Sequence, residues 1–174
     1  MQILTTESAS TVLLVEIRAL LDGAFDGDFA EADWEHTLGG VHVLERDGAE
    51  VVGHAAVVAR AFDVGPRSIR VGYIEGVATS ARRRHEGFGS RTMSAVGDVV
   101  ASRYELGALS TGAHGFYEQL GWERWRGPTY VRAKGCRTRT PDEDDGIMVL
   151  HRAAGSEVDL ASPITCEERP GDDW

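Results

Sequence analysis

The chain reads as an α/β protein with a mixed α+β element order: one central, mostly antiparallel sheet flanked by helices. Three observations predict this class. Apolar stretches of strand length alternate with amphipathic stretches of helix length along the 174 residues. The middle of the chain, from Val41 to Ala78, is a run of strands separated by tight turns, which makes a meander. A strand–loop–helix–strand unit then follows, ending at Ser110.

Ile3 and Leu4 belong to a short first strand. From Val12 to Phe25, apolar Val12, Leu13, Ile17, Leu20, Leu21 and Ala24 recur at helical spacing. Asp26-Gly27-Asp28 breaks that helix, and a second, shorter one runs from Ala30 to Leu38 before Gly39-Gly40 stops it. Val41 to Leu44 is a strand, Asp47-Gly48 a hairpin turn, and Val51 to Phe62 the returning strand. Gly65-Pro66 turns the chain again, and Ile69 to Ala78 is the next strand. The helix from Ser90 to Ser102 leads to a buried strand, Glu105 to Ser110. Ala113 to Leu120 is a short helix ended by Gly121. Tyr130-Val131 and Ile147 to Leu150 are late strands around an acidic loop, Thr140 to Gly146. The segment from Ala153 to Trp174 is polar and mixed.

The length suits one domain, residues 1–174, and 42% hydrophobic residues supply a core. A net charge of −10 argues against nucleic acid as a partner, since a basic face is the usual requirement. It suits a cationic substrate steered into a cleft. No apolar run has the ~18 residues of a membrane helix, and the N-terminal residues carry no secretory pattern. Cys136 and Cys166 are isolated; the default reading is two reduced thiols of a cytoplasmic protein, and the alternative is a disulfide between them. The six histidines lack metal-ligand spacing, so no metal is expected.

The most informative segment is Arg84-His85-Glu86-Gly87-Phe88-Gly89, set between the strand ending at Val77-Ala78 and the helix that follows. A glycine turn opening a helix presents free N–H groups at the positive end of the helix dipole. Such a place holds a phosphate or pyrophosphate. Gly87 and Gly89 let the backbone approach a ligand closely. The spacing is neither the dinucleotide fingerprint nor a P-loop, and the plain alternative is an ordinary turn. Arg82-Arg83-Arg84 is either a solvated loop or an attraction for those phosphates.

The hexapeptide resembles the Arg/Gln-x-x-Gly-x-Gly/Ala signature of the GNAT superfamily of N-acetyltransferases. Phe116-Tyr117-Glu118-Gln119-Leu120-Gly121-Trp122 is similar to that superfamily's late Tyr-x-x-x-Gly-Trp/Phe segment. Longer blocks look like the aminoglycoside 2'-N-acetyltransferases. They are Gly27-Asp28-Phe29, Asp33 to Gly40, Gly72 to Ala78, Leu106 to Ser110, Arg139 to Asp142 and Gly171 to Trp174. From Ser110 to Tyr117 the chain is about two residues shorter than that pattern, which bears on the placement of Tyr117. The resemblance implies the GNAT fold and acetyl-CoA as cosubstrate. It also implies transfer to the 2'-amine of an aminoglycoside antibiotic, hence a resistance role, and a homodimer.

By this resemblance Glu75 is the general base, acting directly or through one water. Its plain alternative is a strand glutamate facing solvent or salt-bridged to an arginine. Tyr117 is the general acid for the departing thiolate, against a core aromatic like Phe116. The Val77 amide meets the acetyl carbonyl or the pantetheine arm. The amides of Gly87, Phe88, Gly89 and Ser90 meet the pyrophosphate, with Arg82 and Arg84 nearby. Asp28, Asp33, Glu75, Ser110, Asp172 and the Trp174 carboxylate receive the substrate's ammonium and hydroxyl groups, and the Trp174 carboxylate is a second candidate base. For Asp28 the alternative is a helix cap, and for Asp172 a frayed tail. Two other readings stay open: a GNAT enzyme for another amine (polyamine, cell-wall amino sugar, protein lysine), or a non-catalytic binding module.

Overall fold

The structure is a computed structural model describing residues 1–151 and 158–174. Ten strands and four α-helices are seen among these residues: β1 Gln2–Thr5, α1 Thr11–Ala24, α2 Glu31–Thr37, β2 Val41–Asp47, β3 Glu50–Val64, β4 Arg67–Thr79, α3 Phe88–Arg103, β5 Leu106–Ser110, α4 His114–Glu118, β6 Glu123–Arg124, β7 Thr129–Ala133, β8 Cys136–Arg139, β9 Ile147–Leu150 and β10 Ile164–Glu167. Short 3-10 turns lie at Thr6–Ser8, Ala81–Arg83 and Pro141–Glu143.

The strands form a mixed sheet in the order β6-β9-β5-β4-β3-β10-β7-β8, with β1 on β2 and β2 on β3. This is the expected fold class. The antiparallel members come from hairpins: Asp47 lies opposite Glu50 around the predicted β2–β3 turn. β4 and β5 pair in parallel from Val71–Leu106 to Tyr73–Ala108, where the ladder ends. β10 was not anticipated. It pairs antiparallel with β3 at Val64 and Asp63, and parallel with β7 from Thr129 to Arg132.

The described residues group into two compact units, the first holding 1–58 and 74–96, the second 59–73 and 97–174. In the first unit, α1 starts where the Ser10 hydroxyl accepts the Leu13 N–H at 3.2 Å. Its buried face, Leu13, Ile17 and Leu21, packs with Phe29, Leu44, Val51 and Ala78. Trp34 is half-buried and packs against this cluster.

The second unit has its own core. Phe62, Tyr73, Leu106, Trp125, Ile147 and Ile164 are among its buried members. Trp174 joins them at 5% exposure, its ring edge-on to Phe62 at 5.4 Å. Arg60, only 5% exposed, ties this region together. Its guanidinium donates to the Asp173 carbonyl at 2.7 Å and the Glu167 carbonyl at 2.9 Å, and lies over the Tyr73 ring. Residues 158–174 are therefore ordered structure rather than a frayed tail; residues 152–157 lie outside the described residues.

Candidate active site

The glycine loop belongs to the first unit. His85 and Gly87 have φ of 66° and 81°, the left-handed region. For Gly87 this is where a glycine is strain-free, and an added Cβ would also meet Arg91 Nη1 at 3.3 Å. The first helical hydrogen bond of α3 runs from Arg91 N–H to Gly87 C=O at 3.1 Å. The amides of Phe88, Gly89 and Ser90 precede it, so they have no intrahelical acceptor and point out of the helix start. Phe88 is the anchor: it is buried, with Arg91 over its ring at 4.4 Å and Arg83 at 5.1 Å. A preformed set of donors results, and it fits a pyrophosphate.

The three arginines before the loop divide their work. Arg83 forms ion pairs with Asp47 and Glu86, which hold the loop. Arg82 and Arg84 are exposed; Arg84 donates to the Ala24 carbonyl at 3.4 Å. Arg82, Ser80 and Ala81 help line a cavity of 470 Å³ with Glu16, Leu20 and Ala24. A larger cavity of 520 Å³ in the second unit, lined by Arg60, Ser68, Ile69, Arg70 and Glu105, contains none of the residues singled out in the sequence.

Glu75 is half-buried on β4, one residue before Gly76, whose φ is 54°. A Cβ on Gly76 would meet Thr37 Cγ2 at 2.9 Å, so this kink requires glycine twice over. Asp28 is exposed in the turn after α1. Asp33 is half-buried and caps α2: its carboxylate accepts the Ala30 N–H at 2.8 Å. That helix-cap role falls to Asp33 rather than to Asp28.

In the second unit Tyr117 lies near the end of α4, edge-on to Phe116 and Trp122. Burial pushes its phenol up to about 12. The hydroxyl is therefore a standing donor. Ser110 Oγ donates to Glu143 Oε2 at 3.5 Å. Glu143's carboxyl is raised by burial first and then by the charge of Asp172. Asp172 Oδ1 accepts the Trp174 N–H at 3.1 Å, and the Trp174 backbone oxygen accepts from Arg169 at 3.3 Å. The Trp174 indole N–H donates to Thr140 Oγ1 at 3.2 Å. This unit thus brings Ser110, Glu143 and Asp172 into one acidic group.

The Acetyltransferase (GNAT) family profile matches residues 14–122. The chain belongs to the GNAT acetyltransferase family. Within it, the chain is 42% identical over 161 residues to an aminoglycoside 2'-N-acetyltransferase of Mycolicibacterium fortuitum, an alignment covering 90% of this chain and 83% of the relative. Among solved structures it resembles a GNAT N-acetyltransferase, YhbS, from Escherichia coli in complex with CoA. The TM-score is 0.67 at 18% identity, covering 98% of this chain and 93% of the other. A probable N-acyltransferase from Enterococcus faecalis matches with TM-score 0.59 at 17% identity, over 71% of this chain. There the chain spans about a third of the partner's length, 32%.

The GNAT loop and the Tyr117 segment were legible because each is a local pattern. Glu143 was not singled out, because an acidic loop between two strands looks like solvated surface until Ser110 and Asp172 are placed beside it. A second omission is a buried histidine pair, His42 and His54, described below. The β2–β3 register, Leu44 opposite His54 and His42 opposite Ala56, puts both on one face. The one-residue register shift between Glu45 and Arg46 hid them: counted outward from the Asp47-Gly48 turn without it, the two histidines fall on opposite faces. Among the described residues no group of three or more His, Cys, Asp or Glu side chains is placed to hold a metal, and no helix is long and apolar enough to cross a membrane. Neither Cys136 nor Cys166 is in a disulfide.

Proposed function

We propose that this chain is one acetyltransferase domain, residues 1–174, that transfers acetyl from acetyl-CoA to the 2'-amine of aminoglycoside antibiotics. The observation that carries the reading is its 42% identity, over 90% of its length, to a protein named for that reaction. The outward amides of Phe88, Gly89 and Ser90 support acetyl-CoA as the donor, with Arg82 and Arg84 attracting its phosphates.

In this reading Glu75 takes a proton from the substrate ammonium, directly or through a water. The freed nitrogen attacks the thioester carbon; the C–N bond forms as the C–S bond breaks. The Val77 amide meets the charge that grows on the carbonyl oxygen. The sulfur leaves as a thiolate and is protonated by way of Tyr117, whose hydroxyl is restored by the second proton that the acylated nitrogen sheds. Burial pushes the phenol up to about 12, so Tyr117 is protonated at neutral pH and donates a hydrogen bond to the sulfur as charge develops there. Asp28, Asp33 and Asp172 receive the remaining ammonium groups, with Glu143 added to the Asp172 set; Ser110 bonds a sugar hydroxyl, and the Trp174 segment closes the set. The enzyme works as a cytoplasmic homodimer on small cationic amines, without nucleic acid, membrane or metal.

A thiol-release screen with acetyl-CoA tests this. Release with aminoglycosides that carry a 2'-amine, and none with those that lack it, is expected. Release with polyamines, amino sugars or lysine peptides instead would make it a GNAT enzyme for another amine. Tight CoA binding without any release would make it a binding module.

A further inference from the structure

The first unit contains a directed chain of hydrogen bonds that ends on one peptide group of β4. Gly39 N–H lies 2.9 Å from Thr6 Oγ1, Thr6 Oγ1 lies 2.9 Å from His42 Nε2, His42 Nδ1 lies 3.0 Å from His54 Nε2, and His54 Nδ1 lies 2.6 Å from the Gly76 carbonyl. Both imidazoles are fully buried, at 0% exposure. Burial lowers the pKa of each, that of His54 to about 3, so both rings are neutral at physiological pH.

Only one assignment of protons satisfies this chain. A carbonyl can only accept, so His54 Nδ1 carries a hydrogen. A neutral ring then has a bare Nε2, so His42 Nδ1 must donate to it. His42 Nε2 is in turn bare, and the Thr6 hydroxyl donates there while its lone pair accepts from Gly39. The hydroxyl's other acceptor, the Gly40 carbonyl, is at 3.5 Å, too long to compete. Every polar atom of this buried row is used, and all the donors point the same way.

The target is a peptide that cannot easily turn. Gly76 is held at φ 54° with Thr37, His54 and Leu21 against the place of its missing Cβ. In a trans peptide the C=O and the following N–H point in opposite directions. Pinning the Gly76 carbonyl toward His54 therefore aims the Val77 N–H away from the histidines. A hydrogen bond to the carbonyl also polarises the peptide and strengthens its N–H as a donor, by about 10–30%.

We propose that Thr6, His42 and His54 are positioning residues that fix and polarise the Gly76–Val77 peptide, so that the Val77 N–H serves as the oxyanion donor of acetyl transfer. This rests on the acetyltransferase reading above. The row does not relay protons out of the site: a carbonyl at its end has none to give. It works on the acceptor oxygen of the thioester through a single rigid amide.

The test has one arm without turnover and one with it. In the first, nitrogen NMR of the intact protein at neutral pH reads the histidine tautomers and the Val77 amide. Both His42 and His54 should be neutral with hydrogen on Nδ1. Hydrogen on Nε2 of either, or a doubly protonated ring, would overturn the proposal. In the second, His54→Leu removes the donor and His54→Asn keeps a donor near the Nδ1 position. His54→Leu should lower kcat about 10-fold, a fraction of what losing an oxyanion donor itself costs. The KM for acetyl-CoA and the CoA dissociation constant should stay within about 3-fold, because the phosphate loop is untouched. His54→Asn should recover most of the kcat. Loss of kcat and CoA affinity together, without rescue, would mean a merely structural pair, as would wild-type kcat in folded His54→Leu. If His54→Leu does not fold, His42→Phe, which breaks the row one link earlier, must show the smaller kcat loss with unchanged CoA affinity, or the proposal fails. Absence of thiol release from the wild type with every amine would remove the acetyltransferase reading and the catalytic role with it, whatever the tautomers.

Discussion

Replacing Trp174 with alanine tests whether the segment after residue 158 is core or strap. The indole is 5% exposed, packs edge-on to Phe62 at 5.4 Å and donates to Thr140 at 3.2 Å. Truncating a buried tryptophan costs about 3–5 kcal/mol, and the lost hydrogen bond adds ~1. Against a typical stability of about 5–15 kcal/mol, that is a large share. For a chain of this size each kcal/mol moves Tm by about 2–4 °C, so Trp174→Ala should lower it by roughly 8–24 °C. Thermal unfolding followed by circular dichroism reads this directly. Asp172→Asn is the companion: it keeps an acceptor for the Trp174 N–H, so it should change stability by less than about 0.5 kcal/mol. The same variant should raise the aminoglycoside KM and weaken its salt dependence, since a charge is lost but the fold is kept. If Trp174→Ala melts within about 3 °C of the wild type, the indole does not complete the core, and the burial argument is wrong.

Other outcomes follow from the site. Tyr117→Phe should cut kcat by about 10²–10⁴-fold while CoA affinity in calorimetry barely moves; with a phenol near 12, Tyr117 should add no alkaline loss of wild-type activity below pH 10. Gly89→Glu should abolish CoA binding in a folded protein, because a side chain and a negative charge enter the cradle. Asp144 is held down to about 2, chiefly by Arg139, with Thr129 also donating. Its folded pKa lies below its unfolded value of ~3.9, so its stabilisation is present above that value and is lost as pH falls through about 2. Asp144→Asn should flatten the pH dependence of urea unfolding between those limits, and an unchanged slope would remove Asp144 from the account.

What the sequence made legible was mostly local. The Asp47-Gly48 hairpin, the α1 stripe and the glycine loop each carry their signal within a few residues. Helix α3 begins at Phe88 rather than Ser90, because the turn after Gly87 is already helical. β8 was missed since all four of its residues are exposed on an edge, so no apolar alternation marks it. β10 was missed for another reason. Ile164-Thr165-Cys166-Glu167 is short and sits in polar surroundings, and both its partners, β3 and β7, lie far away in sequence. The same non-locality hid the Arg60 interactions, since one buried arginine in a strand has no pattern until Glu167 and Asp173 reach it.

The position of β10 between β3 and β7 has a consequence for how the protein is made. Until residues 164–167 have left the ribosome, two strands that are neighbours of β10 in the finished sheet each present an open edge. Arg60 meanwhile waits for carbonyls that have not yet been synthesised. An unpaired edge in a partly made chain is a template for pairing with another chain. A ribosome stalled shortly before Ile164 would therefore release a product prone to aggregation and proteolysis, even though it already contains the glycine loop and Tyr117.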